Sequence, residues 1–390
     1  MSGGVDSSVS AALLKDQGFD VTGVFIKAWE PEGFDCGWRE ERRDAMRVAA
    51  QLNIPFITLD LSKEYKEAVV DYMIAEYKVG RTPNPDVMCN KAIKFGAFFK
   101  KAMAEGADFV ATGHYARSAR IADQRGRDAD KRGRNSVDSN PQFFIPECQA
   151  TSSVVIPAHA GIQAQDPEFQ MLAGVDQNKD QSYFLWSLTQ DHLAHTLFPV
   201  GDMEKPEVRK LAEKFNLPTK AKKDSQGICF VGKLDLKDFL KEFIEQKDGD
   251  VLDTKGKIIG SHHGVLFFTL GERHGFEIFK KTSNEEPLYV IAKDLKANTI
   301  TVFNKPFNGS NDKEITINSI NWISGKVPDL TKTYQARIRY RQPLQSCRIA
   351  QSSSEGEFLV TFDNPQPSIS PGQSLVIYDG EICLGGGVIK

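Results

Sequence analysis

The sequence has no apolar run long enough to span a bilayer and no charged segment followed by an apolar leader, which predicts a soluble, cytoplasmic protein with no membrane partner. Cysteine is sparse: the six, at positions 36, 89, 148, 229, 347 and 383, lie far apart with no Cys-x-x-Cys pair. That spacing indicates neither a zinc ribbon nor a disulfide scaffold and leaves only individual thiol chemistry open. Charge of one sign is not in excess, the net being −3 at pH 7. Nucleic-acid binding would therefore rest on local basic patches rather than on the field of the whole molecule. Also missing is the lysine that a Walker A loop needs after its glycines, which disfavours an ordinary P-loop NTPase.

What the beginning does have is Ser2-Gly3-Gly4-Val5-Asp6-Ser7-Ser8, set ahead of an alanine- and leucine-rich segment. Gly3 and Gly4 let backbone approach a ligand, the hydroxyls donate hydrogen bonds, and the first N–H groups of the following helix offer positive partial charge to an anion. Serine- and glycine-rich turns also serve as plain helix caps. The string resembles the PP-loop of ATP pyrophosphatases, enzymes that adenylate an oxygen and release pyrophosphate. Such a loop normally joins a buried strand to a helix, yet only Met1 precedes Ser2. The expectation is a missing first strand, a gap in the sheet beside the nucleotide, and upstream in-frame codons for a short β-branched run ending in glycine.

At 390 residues the chain predicts two or three domains. Helical periodicity at residues 7–17, 40–52, 63–77 and 91–105 alternates with β-rich stretches at 21–26, 54–59 and 109–111, which predicts a doubly wound parallel sheet. The loop Thr112-Gly113-His114-Tyr115 then faces the same crevice as the phosphate loop. Residues from about 119 to 168 show no period and read as an inserted loop. The expected domains are 1–233, a small mixed middle domain at 234–304, and a C-terminal β-barrel at 305–390, with Asp379-Gly380 as a two-residue hairpin turn. In a strand expected over Gln335 to Tyr340, a period of two points Arg337, Arg339 and Arg341 to one face, suited either to a polyanion or to solvent.

Two cysteines have unusual surroundings. Cys89 follows the proline-stiffened loop Arg81-Thr82-Pro83-Asn84-Pro85-Asp86, just where a helix should start, and Cys229 lies downstream of Lys220, Lys222 and Lys223. Both settings favour a thiolate. A cysteine taken singly is more often an inert core residue, the reading given to Cys36, Cys148, Cys347 and Cys383.

The phosphate loop, Gly80 to Asp86 with Cys89-Asn90, Ala111 to Tyr115, Asn178-Lys179-Asp180-Gln181-Ser182-Tyr183, Asp224 to Phe230 and Cys383 to Gly387 occur in the order seen in tRNA-specific 2-thiouridylases of the MnmA type, which the chain resembles over nearly its whole length. It departs from that family in the absent first strand and the insert. The resemblance implies ATP, accompanied by Mg²⁺, on Ser2, Gly3, Gly4, Val5, Asp6, Ser7 and Ser8, with its base near Ile26 and Gly113, and no protein metal cage. It implies adenylation of the C2 oxygen of a wobble uridine in a tRNA anticodon loop. Asn84, Pro85 and Asp86 would meet the target base, and His114, Lys179, Asp180, Gln181, Arg339, Tyr340 and Gln373 the tRNA. Cys229 would carry a persulfide delivered by a sulfur donor protein, a cysteine desulfurase or a sulfur relay protein. Cys89 would be the nucleophile that releases the sulfur, leaving a Cys89–Cys229 disulfide. Two other readings stand beside it: a PP-loop ligase acting on a small molecule, and a decayed thiolase that only binds tRNA.

Overall fold

The computed structural model describes residues 1–31, 37–121, 168–223, 236–280, 286–304 and 312–390. Cys36, Cys148, Cys229 and most of the expected insert lie outside the described residues. The chain begins at the phosphate loop and enters helix α1 (Val5–Asp16), whose small residues allow it to be buried on several sides through Val5, Ser8, Val9, Ala12 and Leu13. Helix α2 (Trp38–Gln51) buries Ala45, Val48 and Ala49, the stripe that a 3.6-residue period predicts.

Strand β1 (Gly23–Lys27) pairs parallel with β2 (Phe56–Asp60), and β3 (Val110–Ala111) pairs parallel with β6 (Thr196–Leu197). These are the parallel ladders expected of βα units, and the two pairs do not join one another among the described residues. The Met1 α-amino group donates to the Val24 carbonyl at the edge of β1, and burial, helped by nearby Lys94, pushes its pKa down to about 5.

The expectation of irregular chain from 119 is corrected at its edges. Ala119 and Arg120 belong to β4 (Ala116–Arg120), which pairs antiparallel with β5 (Phe169–Ala173). Strand β5 in turn pairs with β17 (Ile382–Ile389), opposing Met171 to Cys383. A ribbon of the first domain is thus hydrogen-bonded to the end of the chain.

The middle domain is a five-stranded sheet in the order β10 (Tyr289–Asp294), β11 (Thr299–Phe303), β7 (Gly249–Leu252), β8 (Ile258–His262), β9 (Phe276–Ile278). The last domain is a closed six-stranded antiparallel barrel, running β12 (Glu314–Trp322), β15 (Phe358–Phe362), β14 (Gln345–Gln351), β13 (Thr333–Arg337), β16 (Ser374–Asp379), β17 and back to β12. The expected hairpin is present one residue further on: Asp379 stays in β16 opposite Ile382, and Gly380, at φ 60°, and Glu381 make the turn. Where β17 closes on β12, a Cβ at Gly385 would lie 2.1 Å from the Asn321 carbonyl oxygen, so only glycine lets the two backbones meet.

The run of alternating arginines is a second correction. Strand β13 stops at Arg337, and the Ile338 N–H turns to the Gln342 side chain at 2.9 Å. The three side chains therefore do not share a face. Arg337 is buried, Arg339 is half-buried, and Arg341 is exposed in the left-handed region at φ 63°. The Arg337 guanidinium pairs with Asp180 and donates to the Tyr378 hydroxyl at 2.7 Å. Asp180 also accepts from the Gly174 and Ser182 N–H groups, each at 3.0 Å. Burial works against the Arg337 charge, but Tyr378 and Asp180 outweigh it and hold the group protonated. Breaking such a pair strands a buried charge. Arg337→Met is expected to cost about 3–5 kcal/mol in a chemical denaturation titration, and Asp180→Asn combined with it should recover part of the loss.

Candidate active site

The phosphate loop closes on itself through serine hydroxyls. Ser8 Oγ donates to the Gly4 carbonyl at 2.7 Å, while Ser2 and Ser7 meet through their hydroxyl oxygens at 3.2 Å. Ser8 is fully buried, whereas Ser2 and Ser7 keep some surface. Gly4 is the N-cap of α1 and no side chain caps it, so the first-turn N–H groups are those that an anion can use. Gly113 comes so close that a Cβ there would lie 2.8 Å from the Asp6 carbonyl carbon and the Ser7 nitrogen. Its lack of a side chain keeps that helix start clear. Asp6 would repel phosphate, but Lys205 Nζ contacts both its oxygens at 2.7 and 2.9 Å and the Tyr115 hydroxyl donates to it at 2.8 Å. This set of backbone donors, hydroxyls and a neutralised carboxylate fits the phosphates of a nucleotide. Ile26, on β1, packs against the apolar cluster that contains Cys89 and Ile93.

Asn84 caps the short helix Pro85–Met88 by accepting from the Val87 N–H at 3.2 Å. Cys89 follows that turn and begins the π-helix Cys89–Phe98. It is only 5% exposed and lies beyond the first turn, so the expected direct effect of a helix N-terminus on its thiol is corrected. Runs of π-helix are rare and frequent at functional sites. Asn90 is buried and donates to the Phe184 carbonyl at 3.1 Å. Burial raises the Asp86 pKa, with Lys94 opposing. Lys94 Nζ also lies 3.3 Å from His114 Nε2, and His114 Nδ1 is 2.9 Å from the Thr112 hydroxyl. Burial, followed by Lys94, holds the His114 pKa well below its usual value, so the ring is neutral and Nε2 is the acceptor.

The remaining expected contacts divide into buried and surface groups. Gln181 is half-buried and clasps Tyr115 on both sides, its N–H donating to the Tyr115 carbonyl at 2.8 Å and its side-chain oxygen accepting from the Tyr115 N–H at 3.0 Å. Lys179 is partly exposed beside it. Asp180 is 5% exposed with its carboxylate engaged by Arg337, Gly174 and Ser182, a geometry that shapes this loop from beneath. Gln373, on the barrel, donates to the Thr82 and Pro83 carbonyls at 2.9 Å each and so holds the loop that leads to Cys89. Arg339 donates to the Leu270 and Ser368 carbonyls at 2.9 Å each, and Tyr340 packs on Phe184 with ring centroids 4.6 Å apart. Burial pushes the thiols of Cys347 and Cys383 up to about 12, which leaves them un-ionised at neutral pH. Among the described residues no group of three or more His, Cys, Asp or Glu side chains is placed to hold a metal. The expected meeting of Cys89 with Cys229 lies outside the described residues.

Sequence reasoning missed Lys205 and Lys94, and it set Tyr115 in the loop facing the glycine turn without giving it a role. Lys205 stands in Glu204-Lys205-Pro206-Glu207, which reads as the charged start of a solvated helix; nothing in that stretch points to a partner 199 residues away.

The glycine turn, parallel strands and closing barrel together define an α/β protein with a helix start suited to an anion and an appended β-barrel. The family model described as tRNA methyl transferase HUP domain matches residues 1–140 and 149–233, the tRNA methyl transferase PRC-barrel domain 237–304, and the aminomethyltransferase beta-barrel domain 312–389. Proteins named tRNA-specific 2-thiouridylase MnmA from Hydrogenovibrio crunogenus and Pseudomonas fluorescens are each 41% identical, over 393 and 399 residues, covering 100% of this chain and 92% of theirs. That from Pseudoalteromonas translucida is 41% identical over 394 residues, covering 100% of this chain and 95% of its own. The chain belongs to the MnmA family of tRNA-specific 2-thiouridylases.

Gly113→Ala should weaken ATP binding about tenfold or more, read by calorimetry, because its Cβ displaces the start of α1. The raised Asp86 pKa makes the folded state favour the protonated acid, so the stability this group contributes is present below its unfolded value of about 3.9 and lost as pH rises. Asp86→Asn is therefore expected to be more stable than the parent at pH 7, with the gain vanishing toward pH 4 in denaturation titrations.

Proposed function

We propose that the chain transfers sulfur to C2 of the wobble uridine in a tRNA anticodon, using ATP, with Cys89 and Cys229 as the sulfur-handling pair. The observation that carries this reading is one arrangement of side chains. A phosphate-accepting loop is kept open by Gly113, the adjoining His114 meets Lys94, and Lys94 lies on the same π-helix that begins with Cys89. ATP, when bound with Mg²⁺, supplies the adenylyl group that turns the C2 oxygen into a leaving group. The chain's own residues do the rest. Ser2, Ser7 and the first N–H groups of α1 hold the phosphates, and Ile26 and Gly113 line the place of the base. Asn84 and Asp86 stand on the turn before Cys89, where an extruded uracil can reach them; a base in a loop is the cheapest to extrude.

Cys229, in this reading, holds a persulfide received from a sulfur donor protein, and its outer sulfur reaches C2. Once the outer sulfur has bonded to C2 and AMP has left, Cys89 attacks the inner sulfur; the S–S bond breaks, the outer sulfur stays on C2 as the thiocarbonyl, and the Cys89–Cys229 disulfide that forms is later reduced by an external thiol. We assign Lys179, Gln181, Arg339, Tyr340 and Gln373, with His114 and Asp180, to the tRNA side; in support, Gln181 clasps Tyr115 beside the glycine turn and Gln373 holds the loop that leads to Cys89. The domains are taken as 1–233, 234–304 and 305–390.

Cys89→Ser and Cys229→Ser are each expected to lower 2-thiouridine formation by about a hundredfold or more while leaving ATP binding intact. Nucleoside analysis of tRNA from a deletion strain complemented with each variant checks this. Full 2-thiouridine content with either variant defeats the thiol relay, whereas full content in the uncomplemented deletion strain defeats the thiolase reading and favours a ligase acting on a small molecule.

A further inference from the structure

This inference rests on the nucleotide reading just given and concerns the carboxylate that the reading sets beside the phosphates. The phosphate loop places a carboxylate, Asp6, in the first turn of α1, and residues 1–14 contain no lysine or arginine to offset it. A carboxylate a few ångströms from a triphosphate opposes binding by plain Coulomb repulsion. The offsetting charge comes from the helix Lys205–Lys214. Lys205 is 11% exposed in its side chain and sits on both Asp6 oxygens. Its own backbone is fixed: the N–H donates to Asp176 Oδ2 at 3.0 Å, Glu204 and Glu207 form a reciprocal cap, and Pro206 stiffens the first turn. The Lys205 ammonium also lies 5.8 Å from the centre of the Tyr115 ring, whose hydroxyl completes the shell around Asp6.

We propose that Lys205 is a positioning residue for nucleotide binding: by holding and neutralising Asp6 it allows the uncapped start of α1 to accept a triphosphate in a loop that has no lysine of its own. Lys205 acts through Asp6 and not by touching the phosphates. The effect is therefore specific to charge on the ligand, and it disappears when Asp6 has no charge to neutralise.

The test uses the full chain, titrated calorimetrically with ATP and separately with adenosine. Lys205→Met should weaken ATP binding about tenfold or more while adenosine binding stays within about twofold, and Lys205→Arg should retain ATP binding. Asp6→Asn combined with Lys205→Met should return ATP affinity toward that of the parent. Unchanged ATP affinity in folded Lys205→Met, an equal loss for adenosine, or a double variant as weak as the single one would each overturn the proposal. Should Lys205→Met not fold, Lys205→Gln, which can still hydrogen-bond Asp6 without the charge, carries the same comparison. A parent chain that binds no ATP at all defeats the nucleotide reading itself, an outcome distinct from failure of the Lys205 assignment.

Discussion

The buried pair of Arg337 with Asp180 is the constraint on which the rest of this structure depends. Two opposite charges withdrawn from water persist only where hydrogen bonds satisfy both, and here they come from both sides of a domain boundary: Tyr378 from the barrel, Ser182 and the Gly174 N–H from the first domain. The pair fixes the loop 176–182 against the barrel wall. Around it, Tyr183 and Trp186 hydrogen-bond Ser374, and Asn321 donates to the Trp186 and Leu188 carbonyls at 2.9 and 2.8 Å. Such a boundary behaves less like a flexible linker contact than like a shared core, since Leu185, Trp186, Val376, Tyr378 and Cys383 fall in a single apolar cluster.

That rigidity reaches the reactive side of the molecule. The barrel's Gln373 holds the Thr82 and Pro83 carbonyls, and the Thr82 N–H donates to the Pro371 carbonyl at 2.9 Å. Gly372, at φ 93°, lets the two backbones come this close, for a Cβ there would meet Thr82 at 2.9 Å. The segment before Cys89 is thereby set by a domain whose own thiols, Cys347 and Cys383, are buried in apolar clusters separate from that of Cys89. A site assembled from rigid elements holds its groups more precisely than one built on free loops.

Much of this was legible in the sequence where local periodicity and tertiary demand agree. Ala45, Val48 and Ala49 form a stripe because a helix on a sheet needs one, and the chain turns a hairpin after Asp379 because Gly380 tolerates the required φ. The alternating arginines misled because a period of two says nothing of where a ladder ends: pairing stops at Arg337, opposite Val376, and the chain turns. Asp180 and Lys205 were opaque for a different reason. Charged side chains are usually solvated, and only three-dimensional proximity reveals that each meets its opposite across more than a hundred residues. Cys89 was singled out for a helix start just ahead of it, whereas it lies buried at the head of a π-helix, which carries no sequence period of its own to announce it.

Tyr115 joins the two halves of the site in one side chain. Its phenol is fastened to Asp6 at the glycine turn, and its peptide group is gripped on both faces by Gln181. The loop 178–181 and Asp6 are thereby tied to one another through this one residue. An aromatic ring anchored at both ends cannot swing without loosening one grip. The glycine turn and the loop 178–181 are thus held at a fixed spacing by a single residue.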